Sequence, residues 1–159
     1  MDFAAVKSAT VDEKGRVVLP ADFKNEMGGS IPDGRLAIEI DLYQCCLNIY
    51  PMEHWKVHLA GLKERLNIND MEDAQMLDFI YQRFKIVQVP DSCRISLPAG
   101  FIEEVHISKD VVFSGQGVRI RLWDAKEFNA YQSSLDSYKS KFAKFFGNGS
   151  GVSRTGIVE

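Results

Sequence analysis

The chain has 159 residues and a mass of 17.9 kDa, enough for one ordinary domain or two very small units sharing a core, and too little for a long multidomain enzyme. Hydrophobic residues make up 45% and charged residues 26%, which excludes a disordered or fibrous chain. The net charge of −3 and a pI near 5.6 exclude a monomer that coats nucleic acid through bulk electrostatics; any such contact must come from a local basic patch.

The opening MDFAAVKSATVDEK carries charges early and has no apolar run after a basic head, so it does not resemble a secretory signal and a cytoplasmic protein is expected. Residues 5–11 read as a strand, followed by a tight turn, a short strand through Arg16 and a brief helix opening at Pro20, where proline suits a first helical turn. A hairpin of residues 36–41 with 46–50 comes next. The uncharged run from Leu42 to Met52 has 11 residues, too few to cross a bilayer, and no membrane partner is expected. Trp55, Leu59, Leu62 and Leu66 then recur at helical spacing. Asp70 is placed to cap a second helix reaching about Phe84, with Leu77, Ile80, Tyr81 and Phe84 on one face.

From residue 84 the pattern starts again. A strand at 84–89, a short strand through Arg94 and a helix opening at Pro98 precede a hairpin of 111–114 with 118–123, for which Ser114-Gly115-Gln116-Gly117 is the expected turn. Asp124 and Glu127 resemble a capping pair for a helix carrying Phe128, Tyr131, Leu135, Tyr138, Phe142 and Phe145 at alternating spacings of three and four. From Gly147 onward GNGSGVSRTGIVE is glycine-rich, and order is not expected.

The recurrence is a true repeat. VDEKGRVVLPADF at 11–23 and VPDSCRISLPAGF at 89–101 align without a gap at an offset of 78, with seven of thirteen positions the same or nearly so. LNIYPMEHW at 47–55 matches IRLWDAKEF at 120–128 at an offset of 73, the difference falling in the longer first connection GGSIPDG. A unit of about 50 residues with four short strands buries too little surface to stand alone, so the two copies should pair around one core as a pseudo-dimer. The organisation expected is a first repeat at 1–55, a helical connection at 56–83, a second repeat at 84–128, a C-terminal helix at 129–146 and a disordered tail at 147–159.

The residues that carry chemistry are few. Cys45, Cys46 and Cys93 form an odd set with two adjacent members, a poor disulfide framework, and free thiols are expected. His54 and His58 stand four apart, but the adjacent cysteines upstream are not at ligand spacing and Trp55 follows His54 where a metalloprotease needs glutamate. No metal or other cofactor is expected. No phosphate loop, dinucleotide fingerprint or nucleophile elbow is present, and no catalysis is expected.

Asp12-Glu13-Lys14-Gly15-Arg16 followed by Val17-Val18-Leu19-Pro20 resembles the D-x-K-G-R signature of MraZ proteins, a family within the SpoVT-AbrB group, and the resemblance extends over roughly residues 1–146. It implies an α+β fold of two AbrB-like β-hairpin half-domains forming a pseudo-twofold, double-split β-barrel flanked by helices. It also implies a DNA-binding transcriptional regulator, associated with the nucleoid, that assembles as a homo-oligomeric ring and binds short G-rich repeats in double-stranded DNA before its own operon of cell-division and cell-wall genes. In that resemblance Arg16 takes the position of the DNA-contacting arginine, with Lys14 beside it and Gly15 letting the turn approach the backbone. Lysine suits phosphate, and an arginine fork can pair with guanine O6 and N7. Residues 7–24, which include Lys7, carry +1, a small basic patch. The second motif departs from the pattern: Pro90, Ser92 and Cys93 replace Asp12, Lys14 and Gly15, leaving Arg94 as a secondary site in a segment of −1 over 85–104. The competing reading is an AbrB-like assembly or protein-interaction module with little DNA binding, in which Arg16 pairs with Asp12 or Glu13. An antitoxin-like role, also known in the wider AbrB group, fits less well because those chains usually carry one motif.

Overall fold

The structure is a computed structural model that describes residues 1–147, so the expected disordered tail falls, apart from Gly147, outside the described residues. The described chain divides into two compact units, Met1–Glu127 and the described residues from Phe128 onward. In the first unit, β1 (Val6–Thr10), β2 (Arg16–Val18) and α1 (Ala21–Glu26) lead to β3 (Arg35–Ile40) and β4 (Leu47–Pro51). The helices α2 (Met52–Lys63) and α3 (Met71–Tyr81) follow. The second copy then runs β5 (Phe84–Gln88), β6 (Arg94–Ser96), α4 (Ala99–Glu104), β7 (Asp110–Gln116) and β8 (Arg119–Asp124) into α5 (Ala125–Ser134).

Six strands form one antiparallel sheet in the order β1-β7-β8-β4-β3-β5, and β2 pairs with β6 in a separate ribbon. Exchanging each strand with its counterpart in the other repeat returns the same order read backwards, which is what a twofold axis requires. The register gives the same answer at single-residue resolution. Val17 pairs with Ile95, its equivalent at offset 78, and Asn48 pairs with Arg121, its equivalent at offset 73. The axis therefore passes through both pairs.

The fold is α+β, with the two half-domains interleaved rather than laid side by side. Among the described residues no ladder joins the sheet's edges β1 and β5. Each edge strand instead leads through a turn into β2 or β6, and those two pair with each other in the ribbon. The repeat's matched apolar residues explain the cohesion: Val11 with Val89, Val17 with Ile95, Leu19 with Leu97 and Phe23 with Phe101 all belong to one buried core, with Leu36, Ile38, Leu47, Ile49, Ile120 and Leu122 from the sheet. Burial of each contributes about 1.5–3 kcal/mol. Neither copy has these partners without the other.

Local chemistry sets the turns. Gly15 takes φ +76°, and its counterpart Cys93 takes +61° in the same turn, each donating its N–H back three residues, to Asp12 and Pro90. Gly15 O then accepts from Leu97 N and Cys93 O from Leu19 N, both at 2.9 Å, so each turn is tied to the other repeat. Pro20 and Pro98 stand at the caps of α1 and α4, one residue before the first helical residue. Asp70 caps α3 by accepting from Asp73 N at 3.0 Å.

Three expectations need correction. Ser114, Gly115 and Gln116 belong to β7, and the turn is Gly117-Val118. A Cβ at Gly115 would overlap the backbone of Phe3, which crosses the strand there and bridges to Gly117, so glycine serves a close approach rather than a bend. Leu66 falls beyond the end of α2, whose buried residues are Met52 and Trp55. The face expected for α3 is only partly buried: Leu77, Ile80 and Phe84 are intermediate, Tyr81 is exposed, and Phe84 starts β5. In the second unit the C-terminal helical segment consists of the rest of α5, a 3-10 turn (Leu135–Ser137) and α6 (Tyr138–Gly147), with Tyr138, Phe142 and Phe145 exposed.

Candidate nucleic-acid interface

The ribbon presents a small outward face by strand alternation. Val17 and Ile95 point into the core, 1% and 0% exposed, so Arg16, Val18, Arg94 and Ser96 point outward. Arg16 stands opposite Ser96 and Arg94 opposite Val18, which places the two arginines diagonally on one face, related by the twofold. A two-stranded ribbon of this kind fits the major groove of B-form DNA.

Asp12 organises the first turn. Its Oδ1 accepts from Lys14 N and Arg16 N, and its Oδ2 from Arg16 Nε, all at 2.9 Å. The Arg16 N–H bond, outweighing some desolvation and joined by the guanidinium and the Lys14 N–H, holds the Asp12 carboxyl below its usual range. Arg16 is thus paired with Asp12, as the competing reading expects. The pairing uses Nε alone, and among the described residues the two Nη groups have no hydrogen-bond partner. Arg16 keeps 35% of its side chain exposed. Lys7, on β1, lies 3.5 Å from Asp22 with both side chains about half exposed. Lys14 and Arg94 are exposed. The sequence offers Arg16 a pair with Asp12 or Glu13; the structure selects Asp12 and adds its hydrogen bonds from Lys14 N and Arg16 N.

Behind the ribbon, on the other face of the sheet, sits a buried polar network. Asp41, 7% exposed, accepts from Arg121 Nη2 at 2.8 Å and Asn48 Nδ2 at 2.9 Å, and from the N–H groups of Tyr43 and Gln44. Burial opposes its charge, but the bonds from Asn48, Gln44 N–H and Arg121 prevail and hold its carboxyl below the usual range. Glu39 behaves alike, with desolvation outweighed by bonds from His58 and Asn48.

The histidine pair is not assembled as a metal site. His54 Nδ1 lies 2.7 Å from Val118 O, while His58 Nε2 lies 3.2 Å from Glu39 Oε2. All three cysteines are free. Burial pushes the Cys46 thiol up to about 12, and burial with the carboxylates of Glu127, Asp124 and Glu104 raises that of Cys45, so both stay protonated without a bound cation. Among the described residues no helix is long and apolar enough to cross a membrane.

Comparison with known proteins settles the family. A model described as "MraZ protein, putative antitoxin-like" matches residues 3–78 and 87–146, nearly all of the described chain. The chain belongs to the MraZ family. Among MraZ relatives, the transcriptional regulator MraZ of Thermoanaerobacter pseudethanolicus is 31% identical over 127 residues, covering 80% of this chain and 84% of its own. That of Bacteroides fragilis is 32% identical over 119 residues, 75% of this chain and 74% of its own. That of Clostridium tetani is 26% identical over 129 residues, 81% and 86% respectively. The first matched segment runs from before β1 into α3, and the second from β5 into α6, so each contains one copy of the β-hairpin motif.

Proposed function

We propose that this MraZ-family chain is a cytoplasmic, nucleoid-associated transcriptional regulator that binds double-stranded DNA through the β2–β6 ribbon. Arg16 reads guanine in short G-rich repeats of the promoter of its own cell-division and cell-wall operon, Lys14 contacts phosphate, and Gly15 keeps the turn low enough to approach. Lys7 and Arg94 are secondary contacts. The observation that carries the reading is the outward, twofold-related placement of Arg16 and Arg94 on a two-stranded ribbon, an element the major groove admits. The Asp12 bond to Nε leaves the Nη edge available and restrains the fork, lowering the entropy lost on contact.

A patch of so few cations binds usefully when several copies engage adjacent repeats, so the chain acts as a homo-oligomeric ring. Exposed apolar residues support assembly: Leu42 and Tyr43 after β3, Val57 on α2, and Met76 and Phe79 on α3 stand in solvent in the single chain. The chain does no catalysis in this reading.

The Arg16–Asp12 pair favours a second reading, an assembly module with little DNA binding. Fluorescence anisotropy on DNA from upstream of the chain's own gene separates the two, with wild type, Arg16→Ala and Asp12→Ala compared across a salt series on samples whose mass shows the oligomer. The regulator binds tightly with steep salt dependence, Arg16→Ala loses specific binding, and Asp12→Ala weakens it partially. Absence of binding by oligomeric wild type at low salt establishes the module.

A further inference from the structure

At one end of the first unit three electron-pair donors from distant parts of the chain converge. Cys45, in the β3–β4 loop, has Sγ 3.5 Å from Nδ1 of His106, just past α4. The same Nδ1 lies 3.2 Å from Oε2 of Glu127, in the first turn of α5. All three donor atoms lie within 4.8 Å of one another. We infer that Cys45, His106 and Glu127 form a site for a borderline-soft divalent cation, zinc above all, with a fourth position open to water.

The distances fit the ion. Zinc bonds of about 2.3 Å to sulfur and 2.0–2.2 Å to nitrogen and oxygen, at tetrahedral angles, put the donors about 3.6 Å apart for S···N and about 3.4 Å for N···O. Without an ion, the Glu127 carboxylate is the common acceptor of the group, facing both the Cys45 thiol and His106 Nδ1. In that arrangement Nδ1 carries the ring proton, whereas the Nε2–H tautomer turns the Nδ1 lone pair toward the same point as the sulfur and the carboxylate oxygen. The shared Nδ1 also rules out a nucleophile relay, which needs the thiol and the carboxylate on opposite ring nitrogens. A cation among the three replaces these hydrogen bonds, with the thiol proton released to solvent, the ring proton on Nε2, and the sulfur and Nδ1 electron pairs bound to the ion. Asp124 and Glu104 add negative charge around Cys45.

The site is held before any ion arrives. Asp124, 4% exposed, accepts from Ser108 N at 3.0 Å and Ser108 Oγ at 3.1 Å and caps α5 through Lys126 N, which fixes the His106 segment against the turn that carries Glu127. Asp41 binds the N–H groups of Tyr43 and Gln44 just before Cys45.

The pseudo-twofold supplies an internal control. The equivalents of Cys45, His106 and Glu127 are Val118, Gly28 and His54 at the repeat offsets. Two of these also meet, His54 Nδ1 lying 2.7 Å from Val118 O, so the fold brings these positions together in both copies and only one carries a donor set. Gly28 adopts φ +96° without strain, whereas His106 occupies the left-handed region at +60°. A strained residue with a ligating side chain stands where glycine would be easier.

The test uses the tag-free full chain, stripped with chelator and titrated with cobalt(II), alongside Cys45→Ser and His106→Gly. Wild type should bind one ion per chain, with visible bands of a four-coordinate centre and a near-ultraviolet thiolate charge-transfer band. Cys45→Ser should lose the charge-transfer band. His106→Gly should weaken binding by roughly 100-fold or more, beyond what loss of an outer-shell partner costs. Because glycine relieves the backbone, metal-free His106→Gly should melt at or above wild type, and zinc should raise the melting temperature of wild type only. Absence of binding by wild type, or binding unchanged in Cys45→Ser and His106→Gly, overturns the site.

Discussion

Replacing Asp41 with alanine removes the hub of the buried network and leaves Arg121, itself 7% exposed, without its carboxylate. Four bonds are lost at once, from Arg121, Asn48, Tyr43 N–H and Gln44 N–H. Breaking a buried ion pair by deleting one partner costs about 3–5 kcal/mol, because the remaining charge stays desolvated. For a chain of this length that lowers Tm by about 6–20 °C. Arg121→Met alone should cost less, about 1–3 kcal/mol, since Asp41 keeps three donors. The double variant Asp41→Ala/Arg121→Met should be more stable than Asp41→Ala alone, by about 1–3 kcal/mol, because a buried guanidinium that has lost its 2.8 Å carboxylate is gone. Urea unfolding followed by the fluorescence of Trp55 and Trp123, at one fixed protein concentration, reads all three. A double variant as unstable as the sum of the singles would refute the reasoning, as would an Asp41→Ala cost below about 1 kcal/mol.

Two further outcomes follow from the same geometry. Gly15→Ala forces a side chain into φ +76° with Ile102 Cδ1 at 3.0 Å from the new Cβ, and should cost about 1–2 kcal/mol in urea while weakening DNA binding; an unchanged midpoint contradicts the strain. The folded values of Glu39 and Asp41 are depressed, so the stability they confer is complete above their unfolded values near 4 and is lost as pH falls through the lower folded values. The urea midpoint should therefore hold above about pH 5 and fall below about pH 4. In Asp41→Asn that fall should be shallower, and an identical pH profile speaks against the assignment.

Much of the fold is readable because the repeat is. Matched apolar residues at 11, 17, 19 and 23 and their partners at offset 78 name most of the ribbon side of the core, and the two offsets identify the residues on the axis. What the chain hides is whatever depends on a crossing segment. Gly115 looks like a turn residue until Phe3 is seen to run across it. Tyr81 on the α3 face looks like ordinary core, yet it remains 47% exposed in one chain. In the ribbon's first turn, the D-x-K-G-R spacing marks Arg16 and Lys14 and allows an Arg16–Asp12 pair, but not the hold of Asp12 on the N–H groups of Lys14 and Arg16. Cys45, His106 and Glu127 are separated by 61 and 21 residues, so no local spacing joins them. The one clue is comparative, a histidine at 106 aligned with Gly28 in the first copy.

The central claim is that Arg16 reads guanine from the ribbon. A double-mutant cycle tests it directly: wild type and Arg16→Ala are titrated against the promoter repeat and against the same repeat carrying 7-deazaguanine, which lacks the N7 acceptor. Loss of that acceptor should cost wild type about 1–3 kcal/mol and cost Arg16→Ala almost nothing. Equal losses in both proteins, or no loss in wild type, would contradict the account.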